Sequence, residues 1–279
     1  MPTTPSPLRY PGGKASYTGM LRQIINDNDL PGCHYIEPFA GGAGAAIGLL
    51  LAGDVARIWL NDLDYSIYAF WKAILEHTDE FIAMVGSRRI SMAEWRRQRE
   101  IFKGNDKDIL SRGFAAFFLN RCNRAGILAA NPIGGLRQAG DYRMNARFKK
   151  KPLIEKIRAI SGQKARITVT NLDAIELLRR YLPKIGKTLV YFDPPYHQKG
   201  GLLYLNHYTP RDHRRLSAAI RQCACPWLLS YDDRPEILRL YRGVHIYRRN
   251  LRYSVTTPSV GTELIVSGLR MPKNLERVA

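Results

Sequence analysis

The residues of this chain whose types and spacing could do chemistry are an acid, two prolines and a tyrosine at 193–196. They follow directly on an apolar run that ends at Phe192. An amino group on an aromatic ring is a poor nucleophile, because its lone pair is delocalised into the ring. Asp193 and the carbonyl of Pro194 can accept both of its N–H hydrogens, which turns the lone pair toward a methyl donor. The alternative is a strand that is ended by prolines, with a tyrosine in the turn.

The rest of this motif suits a flat substrate. Two consecutive prolines stiffen the backbone and hold the Pro194 carbonyl in place. Tyr196 can stack on a base that has left a duplex. His197 is a candidate base, but the chemistry does not need one, and a bystander that contacts phosphate or solvent is the favoured interpretation. Residues 197–209 are predicted to form a mobile lid over the substrate.

A glycine-rich turn occurs at 37–44, between a predicted strand and an apolar helix. Glycines let the backbone approach a ligand where a Cβ atom would clash, and the helix start offers unpaired N–H groups. Asp62, at the end of the next predicted strand, is placed to hydrogen-bond a ribose diol. These features fit NAD, FAD or S-adenosylmethionine. Because the glycines do not follow GxGxxG, a dinucleotide is the less favoured ligand.

A third motif, LRYPGGK, lies at 8–14. Its Gly-Gly-Lys step fits either a ligand-binding turn or a plain loop. It is not a P-loop, because the spacing GxxxxGK[ST] is absent.

The elements that must position these motifs alternate between strands and helices. Short apolar, β-branched runs predict the strands of a mostly parallel sheet flanked by helices, at 34–38, 57–60, 166–170, 188–192 and 227–230. Two later runs, at 244–252 and 263–269, predict a closing antiparallel pair. The glycine-rich turn and the DPPY motif therefore each follow the end of a strand.

Strand signals vanish between about Tyr68 and Lys164, where we expect an inserted helical lobe. Its far end, at 137–151, is the most basic part of the chain. A run of charge is usually a solvated face. Here the basic residues are mixed with Tyr142, Phe148 and glycines, which favours a contact with nucleic acid.

The overall charge also favours a polyanionic partner. Lys and Arg number 43 against 24 Asp and Glu, which gives a formal net charge of +19. Such a field attracts nucleic acids, although a ribosome-associated or merely soluble basic protein would carry it as well. The basic residues are not gathered beside an apolar anchor, so membrane binding is not expected.

No membrane span and no secretory signal are expected from the sequence. The four cysteines lack CxxC or zinc-ribbon spacing, which indicates reduced thiols in a cytoplasmic protein. Cys223 and Cys225 could bind a metal, but we expect them to be packed helix residues, and we expect no metal site.

Together the motifs resemble those of the Dam-like (D12 class) DNA adenine N6-methyltransferases. The resemblance rests on LRYPGGK at 8–14, EPFAGGAG at 37–44, LNDLD at 60–64, FFLNRCNRAGI at 117–127 and DPPY at 193–196. It implies an α/β fold, a Rossmann-like class I methyltransferase sheet with its last strand antiparallel, and an inserted helical target-recognition domain. The implied parts are catalytic at 1–66, DNA-recognising at 67–164 and catalytic again at 165–279.

The resemblance also implies roles for matching residues. S-adenosylmethionine is the implied cofactor, and its implied contacts are Tyr10, Lys14, Phe39, Gly41, Asp62, Asp173 and Asp193. Asp193, Pro194 and Tyr196 are the implied catalytic residues. The implied reaction is direct in-line transfer to N6 of a flipped adenine, without a covalent enzyme intermediate and without a metal.

The chain departs from the best-known family members after the LNR segment. Residues 122–128 and 131–147 do not follow the GATC-reading pattern and look more like phage- and prophage-borne relatives, so no target sequence is implied. Double-stranded DNA is the implied partner, with Arg124 and Arg137 as candidate readers of guanine. A salt-bridged surface arginine is an equal alternative for either. Lys149 and Lys150 are further candidate DNA contacts.

Two other functions stay open: an adenine N6-methyltransferase that acts on RNA, and a silent protein that binds the cofactor or DNA without turnover. The inserted lobe before DPPY favours DNA, and the intact Lys14, Asp62, Asp193 and Tyr196 argue against a silent protein. We expect a cytoplasmic, nucleoid-associated protein that acts as a monomer. Its role as an orphan enzyme, a phage enzyme or half of a restriction pair is left open.

Overall fold

The computed structural model describes residues 4–9, 13–105, 107–181, 186–196, 208–253 and 259–278. The strands are β1 (His34–Glu37), β2 (Arg57–Asn61), β3 (Ile167–Thr170), β4 (Thr188–Phe192), β5 (Trp227–Asp232), β6 (Ile246–Tyr253), β7 (Ser259–Val266) and β8 (Glu276–Arg277). The helices are α1 (Thr18–Asp27), α2 (Gly44–Ala52), α3 (Tyr65–Glu76), α4 (Thr78–Ser87), α5 (Met92–Lys103), α6 (Ile109–Cys122), α7 (Lys150–Ser161), α8 (Ala174–Arg180), α9 (Pro210–Arg221) and α10 (Pro235–Leu240). A 3₁₀ turn, Lys14–Tyr17, precedes α1.

The strands form one sheet of eight, in the order β3-β2-β1-β4-β5-β7-β6-β8. β1 to β5 are parallel, whereas β7 lies antiparallel between β5 and β6. The chain leaves β1 in one direction along the sheet and enters β4 on the other side of β1. Ligands of open α/β sheets bind at such a switch point, outside the carboxyl ends of the strands.

Both faces of the sheet are covered, which explains why the strands read as apolar runs. Alternate residues of one strand enter different cores, because successive side chains point to opposite faces. Tyr35 of β1 packs in the core beneath α1, α2 and the inserted helices, and the next residue, Ile36, packs in the core beneath α8, α9 and α10.

The segment between β2 and β3 is helical, as the sequence predicts, and runs from α3 to α7. Its helices meet around a cluster of aromatic side chains that consists of Phe70, Phe81, Phe114, Phe117, Phe118 and Phe148. Gly113 lets α6 approach α3 so closely that a Cβ atom there would lie 2.5 Å from the carbonyl oxygen of Ala69. The division into three sequence parts stays a prediction.

The predicted α/β fold and its closing antiparallel pair are confirmed, with small shifts at strand ends. β1 ends one residue before the predicted boundary, and β5 extends to Asp232. One expectation is wrong: Cys223 and Cys225 lie between α9 and β5, not in a helix. The helix before them, α9, ends at Arg221. None of the helices in the described ranges is long and apolar enough to cross a membrane.

The approach of α6 to α3 yields a matched pair of substitutions. We expect Gly113→Ala to destabilise the protein by about 1–3 kcal/mol, because the added methyl group meets backbone atoms that cannot move aside. Gly86→Ala in α4 is the control: nothing lies within 4 Å of its added Cβ atom, and alanine favours helix by up to about 1 kcal/mol. Urea unfolding of both variants would contradict the packing argument if their stabilities moved in the same direction.

Candidate active site

Residues from three distant parts of the chain meet at the edge of the sheet where the parallel strands end. Asp193 directly follows β4, and Lys14 begins the 3₁₀ turn before α1. β7 runs antiparallel to β5, and its residue Glu263 pairs with Asp232, the last residue of β5. Glu263 therefore lies at this same edge. The topology therefore brings Lys14 and Glu263 to the end of β4.

The ammonium group of Lys14 is buried at the centre of this arrangement. Its Nζ atom lies 3.0 Å from Asp193 Oδ1 and 3.3 Å from Glu263 Oε1. It also donates a hydrogen bond of 2.9 Å to the hydroxyl of Tyr196. The two carboxylates raise the pKa of Lys14 above its ordinary value although burial acts to lower it. Lys14 is therefore a fixed cation, and the sequence motif around it is more than a plain loop.

Asp193 is held through one of its two oxygens. Ser230 of β5 donates to Oδ1 at 2.8 Å, and the hydroxyls of Ser230 and Tyr191 lie 2.8 Å apart. Within the described residues, Oδ2 has no hydrogen-bond partner, and the side chain is 23% exposed. Burial raises the pKa of Asp193, and the charge of Lys14 opposes that effect. One face of this carboxylate is thus anchored and the other is open.

Glu263 is a site residue that the sequence analysis missed. Its side chain is only 1% exposed, and it accepts hydrogen bonds from the hydroxyls of Tyr17 and Tyr196. No motif surrounds it. The only signal was an acid at the head of an otherwise apolar predicted strand, where a charge is costly unless it is paired.

The glycine-rich turn after β1 is shaped by positive φ angles. Gly41 has φ 46° and Ala43 has φ 44°, a left-handed conformation that alanine seldom adopts. Asp62 stabilises this turn: its Oδ2 accepts the Gly41 N–H at 2.8 Å, while Oδ1 accepts the Asp64 N–H at 2.9 Å. Trp71 donates to the Gly41 carbonyl at 3.0 Å. The structure therefore brings Asp62 and Gly41 together, as the sequence predicts, and gives Asp62 a structural task as well.

Glu37, at the end of β1, fills the N-terminal end of α2. Its Oε1 accepts the Ala46 N–H at 3.1 Å and the Tyr35 hydroxyl at 3.2 Å. A carboxylate is favoured there by the helix dipole. Burial raises the pKa of Glu37 to about 8, and burial likewise raises the pKa of Asp62 to about 7.

Asp173 and Phe39 both lie close to Tyr208, which stands two residues before α9. Asp173 caps α8, since its Oδ1 accepts the N–H groups of Ile175 and Glu176. A cavity of about 530 Å³ opens next to it, and its lining consists of Asp173, Ile175, Glu176, Arg179, Arg180 and Arg215. Phe39 is half-buried, and its ring packs edge-on against Tyr208 at 5.9 Å. Tyr10, His197 and all but the last two residues of the expected lid lie outside the described residues.

The candidate DNA contacts lie on the helical segment. Arg124, Arg137 and Lys149 are exposed. Lys150 is half-buried and donates to the Gly86 carbonyl at the end of α4. Phe148 is buried against Phe117 and Phe118, so its ring is not available to a nucleic acid, and the contact expected along the basic run at 137–151 stays a prediction. The Tyr142 side chain is 71% exposed.

The loop that carries Arg124 packs against the chain segment that leads to Lys14. The Asn120 side chain accepts the Arg9 N–H at 2.7 Å and donates to the carbonyls of Arg9 and Gly126. Gly126 has φ 79°, and a Cβ atom there would lie 2.4 Å from the Arg9 carbonyl oxygen. A candidate base-reading loop is thus in contact with Arg9, five residues before Lys14 in the chain. No group of three metal-ligating side chains occurs in the part of the chain that the structure describes.

Comparison with known proteins identifies the family of the chain. The chain belongs to the D12 class N6 adenine-specific DNA methyltransferase family, whose model matches residues 10–255. A search of curated protein sequences finds no match. Among solved structures, the chain is similar to PH1948 of Pyrococcus horikoshii, which is described as a proposed RNA methyltransferase. The two share 10% sequence identity with a TM-score of 0.44, and the match covers 96% of this chain and 86% of that chain. It is also similar to the rRNA methyltransferase aviRa of Streptomyces viridochromogenes, with 14% identity, a TM-score of 0.38 and the same 96% and 86% covered. These two similarities are too distant to bear on the substrate.

The Lys14 cluster predicts a pH-dependent loss of stability. We expect Lys14→Met to cost about 3–5 kcal/mol at pH 7, because two buried carboxylates lose their cation. Without Lys14 the pKa of Asp193, which burial already raises, rises further above its unfolded value, because the charge of Lys14 no longer opposes the effect of burial. The folded state of the variant then binds a proton more readily than the unfolded state does. The loss of unfolding free energy relative to the wild type therefore becomes smaller as the pH falls.

The matched control is Lys72→Met, which removes an exposed i,i+4 ion pair with Glu76. It is expected to change stability by less than about 0.5 kcal/mol. Urea unfolding of both variants from pH 5 to 8 is the measurement. A Lys14→Met deficit that stayed constant, or grew toward low pH, would contradict the charge assignment.

Proposed function

We propose that this protein transfers a methyl group from S-adenosylmethionine to the N6 amino group of an adenine in double-stranded DNA, with the target base turned out of the helix. The observation that carries the proposal is the Asp193 carboxylate, anchored through Oδ1 and open at Oδ2, at the switch point of the sheet. The family supplies the class of reaction.

Asp193 and Pro194 would activate the amino group. The open Oδ2 accepts one N–H hydrogen, and the buried Pro194 carbonyl accepts the other. This withdraws the nitrogen lone pair from the ring and directs it at the methyl donor. Asp193 need not be a strong base, because the proton leaves only after the nitrogen has been alkylated and has become acidic.

Tyr196 would hold the base. Its hydroxyl accepts from Lys14 and donates to Glu263, so the plane of its ring is fixed before a substrate arrives. A preset aromatic face can stack on a flipped base at a low cost in entropy.

The glycine-rich turn fits S-adenosylmethionine better than a dinucleotide. A dinucleotide places its pyrophosphate at the start of the helix after β1, but in this protein Glu37 already occupies that position. Carboxylates at 37, 62 and 193 suit a cation, and the cofactor supplies a methyl group on a positively charged sulfur. Lys14, Phe39, Gly41, Asp62 and Asp173 are the proposed contacts in the described ranges, with Tyr10 outside them.

DNA is the proposed substrate because a net charge of +19 attracts polyanions. The exposed Arg124, Arg137 and Lys149 are the proposed contacts, with Lys150 contributing beside α4. Arg124 is favoured as a base reader because its loop packs against Arg9, a few residues before Lys14. An enzyme that works on one base must take that base out of the stack, since the amino group is unreachable within a duplex.

The test is mapping of modified bases by long-read sequencing of DNA from cells that express the protein, with Asp193→Ala as the control. We expect N6-methyladenine at one recurring sequence, and its loss in Asp193→Ala because the amine acceptor is gone. Unmodified DNA together with methylated RNA would replace the DNA substrate by RNA. Cofactor binding without methylation of any nucleic acid would reject the enzymatic proposal.

Cofactor binding should release protons near neutral pH. Glu37, with a pKa of about 8, is largely protonated at pH 7.5, and Asp62, with a pKa of about 7, is partly so. A positive sulfur nearby lowers both pKa values, so up to about one proton should leave on binding.

Calorimetric titrations in two buffers of different ionisation enthalpy measure this release. S-adenosylhomocysteine, whose sulfur is neutral, should release fewer protons, and Glu37→Gln should remove most of the effect. Identical binding enthalpies in the two buffers would show that the carboxylates do not respond to the cofactor charge.

A further inference from the structure

We infer that Glu263 is a positioning residue for methyl transfer, one that holds Lys14 and Tyr196 so that Asp193 keeps its Oδ2 atom open for the target amine. The inference rests on the proposed function and deepens it. Glu263 lies far from Asp193 and Tyr196 along the chain. It reaches them because it lies on the antiparallel strand β7.

The register of β7 decides which way Glu263 points. Glu263 and Ile265 share one face of the strand, and Leu264 and Val266 share the other. Ile265 packs in the core with Tyr17 and Tyr191, whereas Leu264 packs with Phe192 in the core on the opposite face. Glu263 is therefore directed at the 3₁₀ turn that carries Lys14.

The contacts of Glu263 divide between its two oxygens. Oε2 accepts from the Tyr17 hydroxyl, which fixes the carboxylate on its structural side. Oε1 faces the site and contacts both the Tyr196 hydroxyl and the Lys14 ammonium. One oxygen thus anchors the group, and the other orients two residues of the site.

This arrangement controls how Lys14 meets Asp193. An ammonium group has three N–H donors, and Asp193 Oδ1, Glu263 Oε1 and the Tyr196 hydroxyl lie within reach of them. Glu263 draws the ammonium to one side, so that it contacts Asp193 through Oδ1. Without this second carboxylate, Lys14 would be drawn onto Asp193 alone and would cover the oxygen that the amine requires.

A purely structural role is the competing explanation, because a buried ion pair is retained once its partners are buried. The two roles differ in kinetics. A structural defect lowers stability and the amount of active enzyme, whereas a positioning defect slows the chemical step while binding persists. A small misplacement of a reacting group costs on the order of a hundredfold in rate.

The experiment compares Glu263→Gln with the wild type in single-turnover methylation of DNA. Glu236→Gln is the matched control, since it makes the same chemical change at a half-exposed pair with Arg239 on α10, away from the site. We expect Glu263→Gln to lower the rate of transfer by tenfold to a hundredfold. Its dissociation constants for DNA and cofactor should stay within about threefold of wild type, because the base and cofactor contacts remain. Glu236→Gln should behave as wild type.

The pH profile supplies a second signature. Asp193 must be ionised to accept an N–H, so activity rises as the pH passes its pKa. The groups that act on Asp193 or respond to its charge include Lys14, Tyr17, Tyr35, Glu37, Tyr191, Ser230, Tyr231 and Glu263. Removing the negative charge of Glu263 should move the acidic limb of the profile to lower pH, because that charge raises the pKa of Asp193.

NMR of the Lys14 ammonium group tests the positioning without any turnover. Its signal should be sharp in the wild type and in Glu236→Gln, and shifted or lost in Glu263→Gln. If Glu263→Gln does not fold, Glu263→Asp keeps the charge but shortens the reach, and its rate should still fall. A folded Glu263→Gln or Glu263→Asp with the wild-type rate and an unaltered Lys14 signal would overturn the inference. Absence of methylation by the wild type would instead reject the proposed function, and the Lys14 signal would still decide the inference.

Discussion

The buried ammonium group of Lys14, set between the carboxylates of Asp193 and Glu263, is the interaction on which the rest of the site depends. Removing a charge from water costs several kcal/mol, so each of these three groups is tolerable only when the others are present. They come from the N-terminal turn, from the end of β4 and from β7. The fold must therefore be complete before the site exists, and the site in turn ties the start of the chain to its final strands.

The sheet topology satisfies this constraint with one irregularity. Five parallel strands bring their carboxyl ends to one edge, which gathers Glu37, Asp62 and Asp193. β7 enters antiparallel between β5 and β6, so that Glu263, which pairs with Asp232 at the end of β5, reaches the same edge. A parallel strand in that position would present its last residues there instead. The antiparallel direction of β7 thus places Glu263 at this edge. In a uniformly parallel sheet, the acid at this position would have to be a different residue of the chain.

The turn after β1 separates this protein from dinucleotide-binding sheets of similar order. There the start of the first helix receives a pyrophosphate, whereas here it receives the protein's own Glu37. The inserted helices also contact the N-terminal part of the chain. The Asn120 side chain donates to the carbonyls of Arg9 and Gly126, and Arg9 lies in the segment that leads to Lys14. The helical segment and the N-terminal segment that leads to Lys14 are therefore in direct contact through Arg9.

The sequence by itself determined the strands other than β8, the helical insertion, the family and the residues of the local motifs, because apolar periodicity and motif spacing are short-range properties. Lys14, Asp62, Asp193 and Tyr196, which the motifs singled out, lie at the candidate site or at its supporting turn, and their roles stay predictions. The burial of Phe148 depends on helix packing, which no local pattern showed, and the expectation that Cys223 and Cys225 are helix residues was wrong because they lie just beyond a helix end. Only the tertiary structure decided that Glu263 belongs to the site and that Glu37 fills the helix start. Glu263 lies 249 residues from Lys14 along the chain, and their contact follows from strand order and register, which no local pattern encodes.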